Sequence, residues 1–295
     1  SDKNRSRMMN SIAPFWDGNE TWLVLGGGGL FAAFPVAYGI IMTGLYLPVT
    51  FMLFGLIMRG VAFEFRFKAT SHRYVWDYFF FVGSVVATFF QGIMLGALVQ
   101  GLEASNRLYT GGPFDWFTPF SIACGIALII GYALLGSTWL IIKTEHTLQV
   151  WARKVSGWML SALVVAMIGV TMFMYFSDIK ALEGWFSFPG LLYLAPMPII
   201  VVLLFFLMRK DLTGEREYRP FLLTVALFLM GYIGVCFAIF PYIVPYQMTI
   251  YGAAAADTSL SFMLIGAGIM LPIILSYTAF AYYTFKGKTD HEHMY

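Results

Sequence analysis

The chain has 295 residues, 59% hydrophobic and 12% charged, against about 25% charged in ordinary soluble domains. With a mean hydropathy of +0.75, this composition excludes a soluble enzyme and a nucleic-acid-binding module, and it points to a polytopic membrane protein. The formal net charge of +2 says little by itself, because the distribution of charge matters more than its total.

The first residues are polar and basic, with Lys3, Arg5 and Arg7, and show no secretory signal pattern. Since the chain starts at Ser1 rather than Met, residues upstream are expected to be missing. Next comes Pro14-Phe15-Trp16-Asp17-Gly18-Asn19-Glu20-Thr21-Trp22, with two carboxylates, an amide and two tryptophans at the mouth of an apolar run. A polar knot beside lipid is expensive to keep, which makes it a functional candidate. The competing reading is structural: acidic residues in a first helical turn suit the macrodipole, and Trp suits the membrane interface.

A membrane helix needs roughly 20 apolar residues. Charge-poor runs predict eight spans: Thr21–Tyr38, Gly44–Ala62, Tyr78–Val99, Phe117–Ile142, Gly157–Phe176, Gly190–Met208, Pro220–Phe240 and Leu260–Phe285. As one helix, the charge-free run Thr21–Met58 would be roughly 57 Å long at 1.5 Å per residue, so it must turn, near Gly39–Gly44. Pro35, Pro48, Pro196, Pro198 and Pro272 are expected to end or kink helices. The predicted architecture is all-α. It is one membrane domain over 1–295, with a first half-bundle over 12–142, a second over 157–285 and a tail over 286–295.

Of the 18 lysines and arginines, all but Arg107 and Lys180 fall on one side of these spans: the amino-terminal segment, the second, fourth and sixth connections, and the tail. The positive-inside bias places both termini and Asp17 on the cytoplasmic face.

Other motifs have plain readings. Gly26-Gly27-Gly28-Gly29 has no following Lys-Ser/Thr and no preceding strand, so it is not a phosphate loop. Small residues within a membrane run let helices approach closely instead. Cys124 and Cys236 fall in apolar runs and read as buried thiols. His72 and His146 lie in connections, and His291 and His293 in the tail. With no histidine at membrane depth, a bis-His haem within this chain is excluded. His291-Glu292-His293 reads as a solvated tail end, and no metal site is expected. Arg59 lies near a helix end and can snorkel, and Gln91 is the strongest polar group at mid-span. Proton-coupled transporters usually need an ionisable group near the midplane, and this chain offers none. Asp257, with Thr258 and Ser259, reads as an N-cap ahead of the last span.

The segment Met9 to Leu23, with Ser11-Ile12-Ala13-Pro14-Phe15-Trp16-Asp17-Gly18-Asn19 at its centre, strongly resembles subunit II of the cytochrome bd quinol oxidases. So does Gly28-Gly29-Leu30-Phe31-Ala32-Ala33-Phe34-Pro35. Further matches are Arg59 through Phe65-Arg66, Trp76-Asp77, Gln100-Gly101, Phe240-Pro241 with Pro245, and Pro272-Ile273-Ile274-Leu275 with Tyr277-Thr278-Ala279. The resemblance covers essentially the whole chain.

The resemblance implies a family fold of nine membrane helices, arranged as two four-helix bundles plus one, of which the first helix is absent upstream of Ser1. It implies a haem-free subunit II paired pseudo-symmetrically with a subunit I. That partner would carry two b-type haems and one d-type haem (or a third haem b), oxidise quinol and reduce O2 to water in a bacterial cytoplasmic membrane. Asp17 falls on the position assigned to proton transfer, with Glu20 and Trp16 beside it, and Trp22 falls at the mouth of an O2 path. Helical spacing puts Glu20 and Thr21 on the Asp17 face. Two carboxylates one turn apart repel, and a partner packed against them would add a desolvation cost. Asn19, Gly26, Gly27, Gly28, Gly29, Arg59, Asp77, Gln100 and Asp257 take structural or subunit-contact roles. Membrane lipids and small accessory subunits are further expected partners. The alternative from a different class is a multi-pass transporter or channel.

The charge asymmetry makes a direct prediction. Cysteines placed at Ser105 and Glu215 should be labelled by an impermeant maleimide from opposite faces, Ser105→Cys from outside. Labelling of both from one face would overturn the alternation.

Overall fold

The computed structural model describes residues 2–177, 188, 192 and 195–289. Its elements in chain order are α1 (Asp2–Asn10), α2 (Trp16–Ala33), α3 (Pro35–Gly44), α4 (Tyr46–Lys68), α5 (Arg73–Gln100), β1 (Ala104–Ser105), β2 (Leu108–Tyr109), α6 (Pro119–Lys143), α7 (His146–Phe176), α8 (Pro196–Thr213), α9 (Tyr218–Ile239), β3 (Tyr242–Val244), β4 (Met248–Thr249), α10 (Ile250–Ala253) and α11 (Asp257–Thr284). Helix dominates because hydrocarbon cannot satisfy backbone N–H and C=O groups, so each apolar run must close its own hydrogen bonds.

Among the described residues six helices are long and apolar enough to cross a membrane: α4, α5, α6, α7, α9 and α11. Six of the eight expected spans therefore have such a helix. Thr21–Tyr38 falls on the shorter α2 and α3. Gly190–Met208 begins outside the described residues and ends within α8.

The chain does not turn at Gly39, which lies inside α3. It breaks at Phe34 and again at Leu45. Pro35 opens α3, and its ring drives the preceding residue out of the helical region, with Phe34 at φ −137° and ψ 62°. α7 begins eleven residues ahead of the expected Gly157, at His146, because Arg153 and Lys154 end an apolar run without ending a helix. Pro272 lies inside α11, which continues through it. Asp257 is not an N-cap: Ala256 holds that position and Asp257 is the first helical residue, where its charge suits the macrodipole.

Close packing is carried by glycines other than the Gly26–Gly29 run. A Cβ on Gly55 would lie 2.7 Å from Gly83 O, and one on Gly92 would lie 2.6 Å from Gly125 Cα. These contacts let α4, α5 and α6 approach backbone to backbone. A Cβ on Gly26, Gly27, Gly28 or Gly29 would meet nothing within 4 Å. The close-packing reading fails there within this chain.

The two larger buried clusters draw one on α5 and the other on α6. One joins Ile40, Leu45, Ile93, Ala97, Trp116 and Val244. The other joins Leu134, Ile141, Leu160, Met208 and Leu227 from α6, α7, α8 and α9. Two small antiparallel hairpins, β1–β2 and β3–β4, form in the long connections after α5 and α9. They close the end away from Asp17. Tyr246 donates to Val99 O at 3.0 Å, and its ring lies 2.8 Å from where a Cβ on Gly101 would stand, at φ +97°. Gln100 accepts from the Thr118 hydroxyl at 2.6 Å, beside the Thr118–Ser121 capping box that starts α6.

Candidate functional site

The polar chemistry collects at the opposite end of the bundle. Phe15 is 6% exposed. It stacks on Tyr282 at 4.4 Å between centroids and meets Trp139 edge-on at 5.6 Å. Trp139 Nε1 donates to Ser11 O at 3.1 Å. The entry to α2 is thus held against α6 and α11 by aromatic contacts. Trp16, the next residue, packs on Phe63 at 5.5 Å and over Gly60, which ties the start of α2 to α4.

Held this way, the first turn of α2 presents Asp17, Gly18 and Asn19 exposed. Among the described residues no cation pairs with Asp17. The Thr21 hydroxyl donates to Asp17 O at 3.2 Å, which places the two on one helical face. Glu20 departs from the expected carboxylate pair: it forms an ion pair with Arg59 of α4. Arg59 therefore reaches across to α2 rather than snorkelling, and its Nε is buried without a hydrogen-bond partner. Trp22, half-buried, lies one turn above, and beyond it Gly26 to Gly28 are exposed and Gly29 half-buried.

A second group centres on Arg66, 1% exposed. Its Nε donates to Asp77 Oδ1, its Nη1 to Ser6 Oγ at 2.9 Å and its Nη2 to Asp2 Oδ1 at 2.8 Å. Arg5 donates to the other Asp77 oxygen at 2.9 Å. The rigid guanidinium fork suits such multiple recognition, and burial makes each partner necessary. This clamp turns the segment read only as polar and basic into the helix α1, docked beneath α4 and α5. Spacing of Asp2, Arg5 and Ser6 on one helical face was the available signal. Arg66 itself was indistinguishable from any cation at a membrane border.

A third group straps the chain end down. Lys143, 3% exposed, donates to Phe285 O and to Gly287 O, and its Nζ lies 5.4 Å from the Phe15 ring centroid. Thr289 N donates back to Lys143 O at 2.9 Å, and Lys288 Nζ bonds Glu217 Oε2 at 2.6 Å. Burial raises the pKa of Glu217, but its hydrogen bonds to Lys288 and Gln149 and the charges of Lys288 and Arg153 outweigh this and hold it below the ordinary value. That depressed value means its contribution is present above the unfolded carboxylate range and is lost as pH falls through the folded pKa. The start of the tail is thus bound rather than free. His291, Glu292 and His293 lie outside the described residues.

Among the described residues no three His, Cys, Asp or Glu side chains gather as metal ligands. His72 caps α5 and His146 opens α7, both at helix ends.

The cytochrome bd terminal oxidase subunit II family model matches residues 1–285. The chain is 28% identical over 303 residues to cytochrome bd ubiquinol oxidase subunit 2 of Bacillus subtilis (strain 168), covering 99% of this chain and 87% of that one. It is 28% identical over 331 residues to cytochrome bd-I ubiquinol oxidase subunit 2 of Escherichia coli (strain K12), covering 99% and 86%. The solved bd oxidase from Geobacillus thermodenitrificans matches with a TM-score of 0.64 at 12% identity, over 94% of this chain and 86% of that chain, a likeness of fold.

The Arg66 clamp carries a stability prediction. Removing one partner of a buried ion pair costs about 3–5 kcal/mol, so Arg66→Ala should sharply lower the thermal midpoint of the assembled protein. Arg66→Lys, which keeps the charge without the fork, should lie between. An unchanged midpoint in Arg66→Ala would show that the clamp is not needed.

Proposed function

The chain belongs to the cytochrome bd terminal oxidase subunit II family, and on that premise we propose that it is the haem-free member of a membrane complex whose partner, subunit I, oxidises quinol and reduces O2 to water. The haems, two of type b and one of type d or a third b, belong to that partner. The residue placement supports this division. Axial haem ligation in membrane helices usually calls on His, and the two described histidines stand at helix ends. Among the described residues no histidine stands inside a membrane-spanning helix, where it could ligate a haem.

The face offered to subunit I is formed by α2 and α11. α11 has no buried residue and α2 buries only Ala33. Apolar exposure alone would suit lipid. Asp17 and Asn19, exposed at the start of the same α2, would not, since uncompensated polar groups beside hydrocarbon are costly. A protein partner that covers this face resolves that cost, and the bare Gly26–Gly29 run allows its close approach.

Within that interface Asp17 takes up protons from the basic, cytoplasmic end and passes them toward the oxygen site. The observation that carries this role is the contrast between two neighbouring carboxylates. Glu20 is neutralised by Arg59, whereas Asp17 is exposed and has no cation beside it among the described residues. A group that exchanges protons must be free to change charge; Glu20 and Trp16 fix its surroundings. Trp22, one turn higher and half-buried, borders the O2 path.

The test uses the complex purified through this chain. The parent should show strong visible haem absorption and quinol-dependent O2 uptake, and this chain expressed without its partner should carry no stoichiometric haem. Asp17→Asn should assemble with full haem yet slow quinol-driven O2 reduction about tenfold or more, a modest share of a proton-transfer residue's usual effect. Asp17→Glu should retain more activity. In the same assay Trp22→Ala should shift the O2 dependence while leaving the haem spectrum intact. An Asp17→Asn complex that turns over like the parent would make Asp17 structural.

A further inference from the structure

The basic end also holds two cations that the oxidase reading leaves unused. α7 and α8 meet where both apolar runs stop: Gly157 begins the apolar part of α7, and Met208 ends that of α8. There Arg209 Nη1 donates to Gly157 O at 3.5 Å, which brings the guanidinium of α8 against α7. One turn away on α7, Lys154 Nζ stands 5.4 Å from the Trp158 ring centroid. All three side chains are exposed, Trp158 to 63%.

Two nearby carboxylates, Asp211 and Glu217, are committed elsewhere. Asp211 receives Arg219 at 3.2 Å and Arg216 at 3.5 Å, and Glu217 holds Lys288. Among the described residues no carboxylate lies within ion-pair distance of Lys154 or Arg209. One weak carbonyl bond leaves most of the five guanidinium donors of Arg209 unmet. Below the two cations, toward the middle of the helices, the surface is apolar: Val165 is 70% and Phe206 64% exposed.

We propose that the exposed surface where α7 meets α8 binds the headgroup of an anionic phospholipid. Its phosphate sits between Lys154 and Arg209, its glycerol backbone lies on Trp158, and its acyl chains run down past Val165 and Phe206. Positive charge at the edge of the hydrocarbon, an amphipathic ring at headgroup depth and apolar surface beneath are the three features such a lipid presents in mirror image. The geometry favours a lipid over a soluble phosphate because the apolar floor continues the charged rim. The inference goes beyond the oxidase reading and needs only that α7 crosses a bilayer with this end at its border.

The test is lipid retention by the purified, delipidated complex, read by native mass spectrometry after addition of cardiolipin, phosphatidylcholine or inorganic phosphate. The parent should bind cardiolipin in a defined stoichiometry and in preference to the other two. The double variant Lys154→Gln/Arg209→Gln should bind it about 30-fold more weakly, each cation near the surface contributing about fivefold. Its haem absorption and O2 uptake in detergent should equal those of the parent, which separates loss of the lipid from loss of the fold. Trp158→Leu should weaken retention with the charges intact. The proposal is overturned if the double variant retains cardiolipin like the parent, or if phosphatidylcholine binds equally. Binding that appears only after removal of residues 290–295 would also overturn it, by assigning the two cations to the chain's own acidic tail.

Discussion

Hydrocarbon gives a backbone amide no partner and a charge no solvent, and the arrangement of this chain follows from that single cost. The apolar runs close into helices, and among the described residues most ion pairs stand at or near helix ends; the Arg59–Glu20 pair lies deeper, inside α4. The cost also explains why the contacts between helices are so tight at Gly55, Gly83, Gly92 and Gly125. Between helices in lipid there is little hydrophobic gain to collect, so association depends on close backbone approach.

The same cost organises the basic end. Arg66 is almost fully buried, yet each arm of its guanidinium has an acceptor, drawn from α1 and α5. Lys143 is buried with its ammonium on the carbonyls at the end of α11 and beside two aromatic faces. Both cations act as fasteners: one fixes the amino-terminal helix, the other the carboxy-terminal strap. Between them lies the first turn of α2, anchored by Phe15 and Trp16. The position of Asp17 is therefore set by residues far from it in sequence, and rigid support of this kind suits the proton exchange proposed for it.

The open flank has the opposite character. α2 and α11 contribute one buried residue between them, and α11 packs mainly on α2. Their union rests on contacts at the two ends, the Ala255 N to Ala33 O bond at 2.8 Å and the stack of Phe15 on Tyr282. An edge built so lightly, with exposed polar groups on it, is the one we propose that subunit I covers.

Much of this was legible in the sequence. Composition and apolar runs marked a membrane protein, and the resemblance carried by Met9 to Leu23 marked the family. The remainder was decided in three dimensions. Apolar length could not show that Phe34 breaks ahead of Pro35, or that α7 starts at His146, since a charged turn can extend a helix beyond the membrane. Spacing placed Glu20 with Asp17, but only the packing of α2 on α4 gave Glu20 to Arg59 and left Asp17, among the described residues, without a cation. Nor could a count of basic residues separate the buried Arg66 and Lys143 from the exposed Lys154 and Arg209. Local sequence reports the chemical cost of each residue, whereas the partner that offsets it comes from another helix, and tertiary packing alone determines which one.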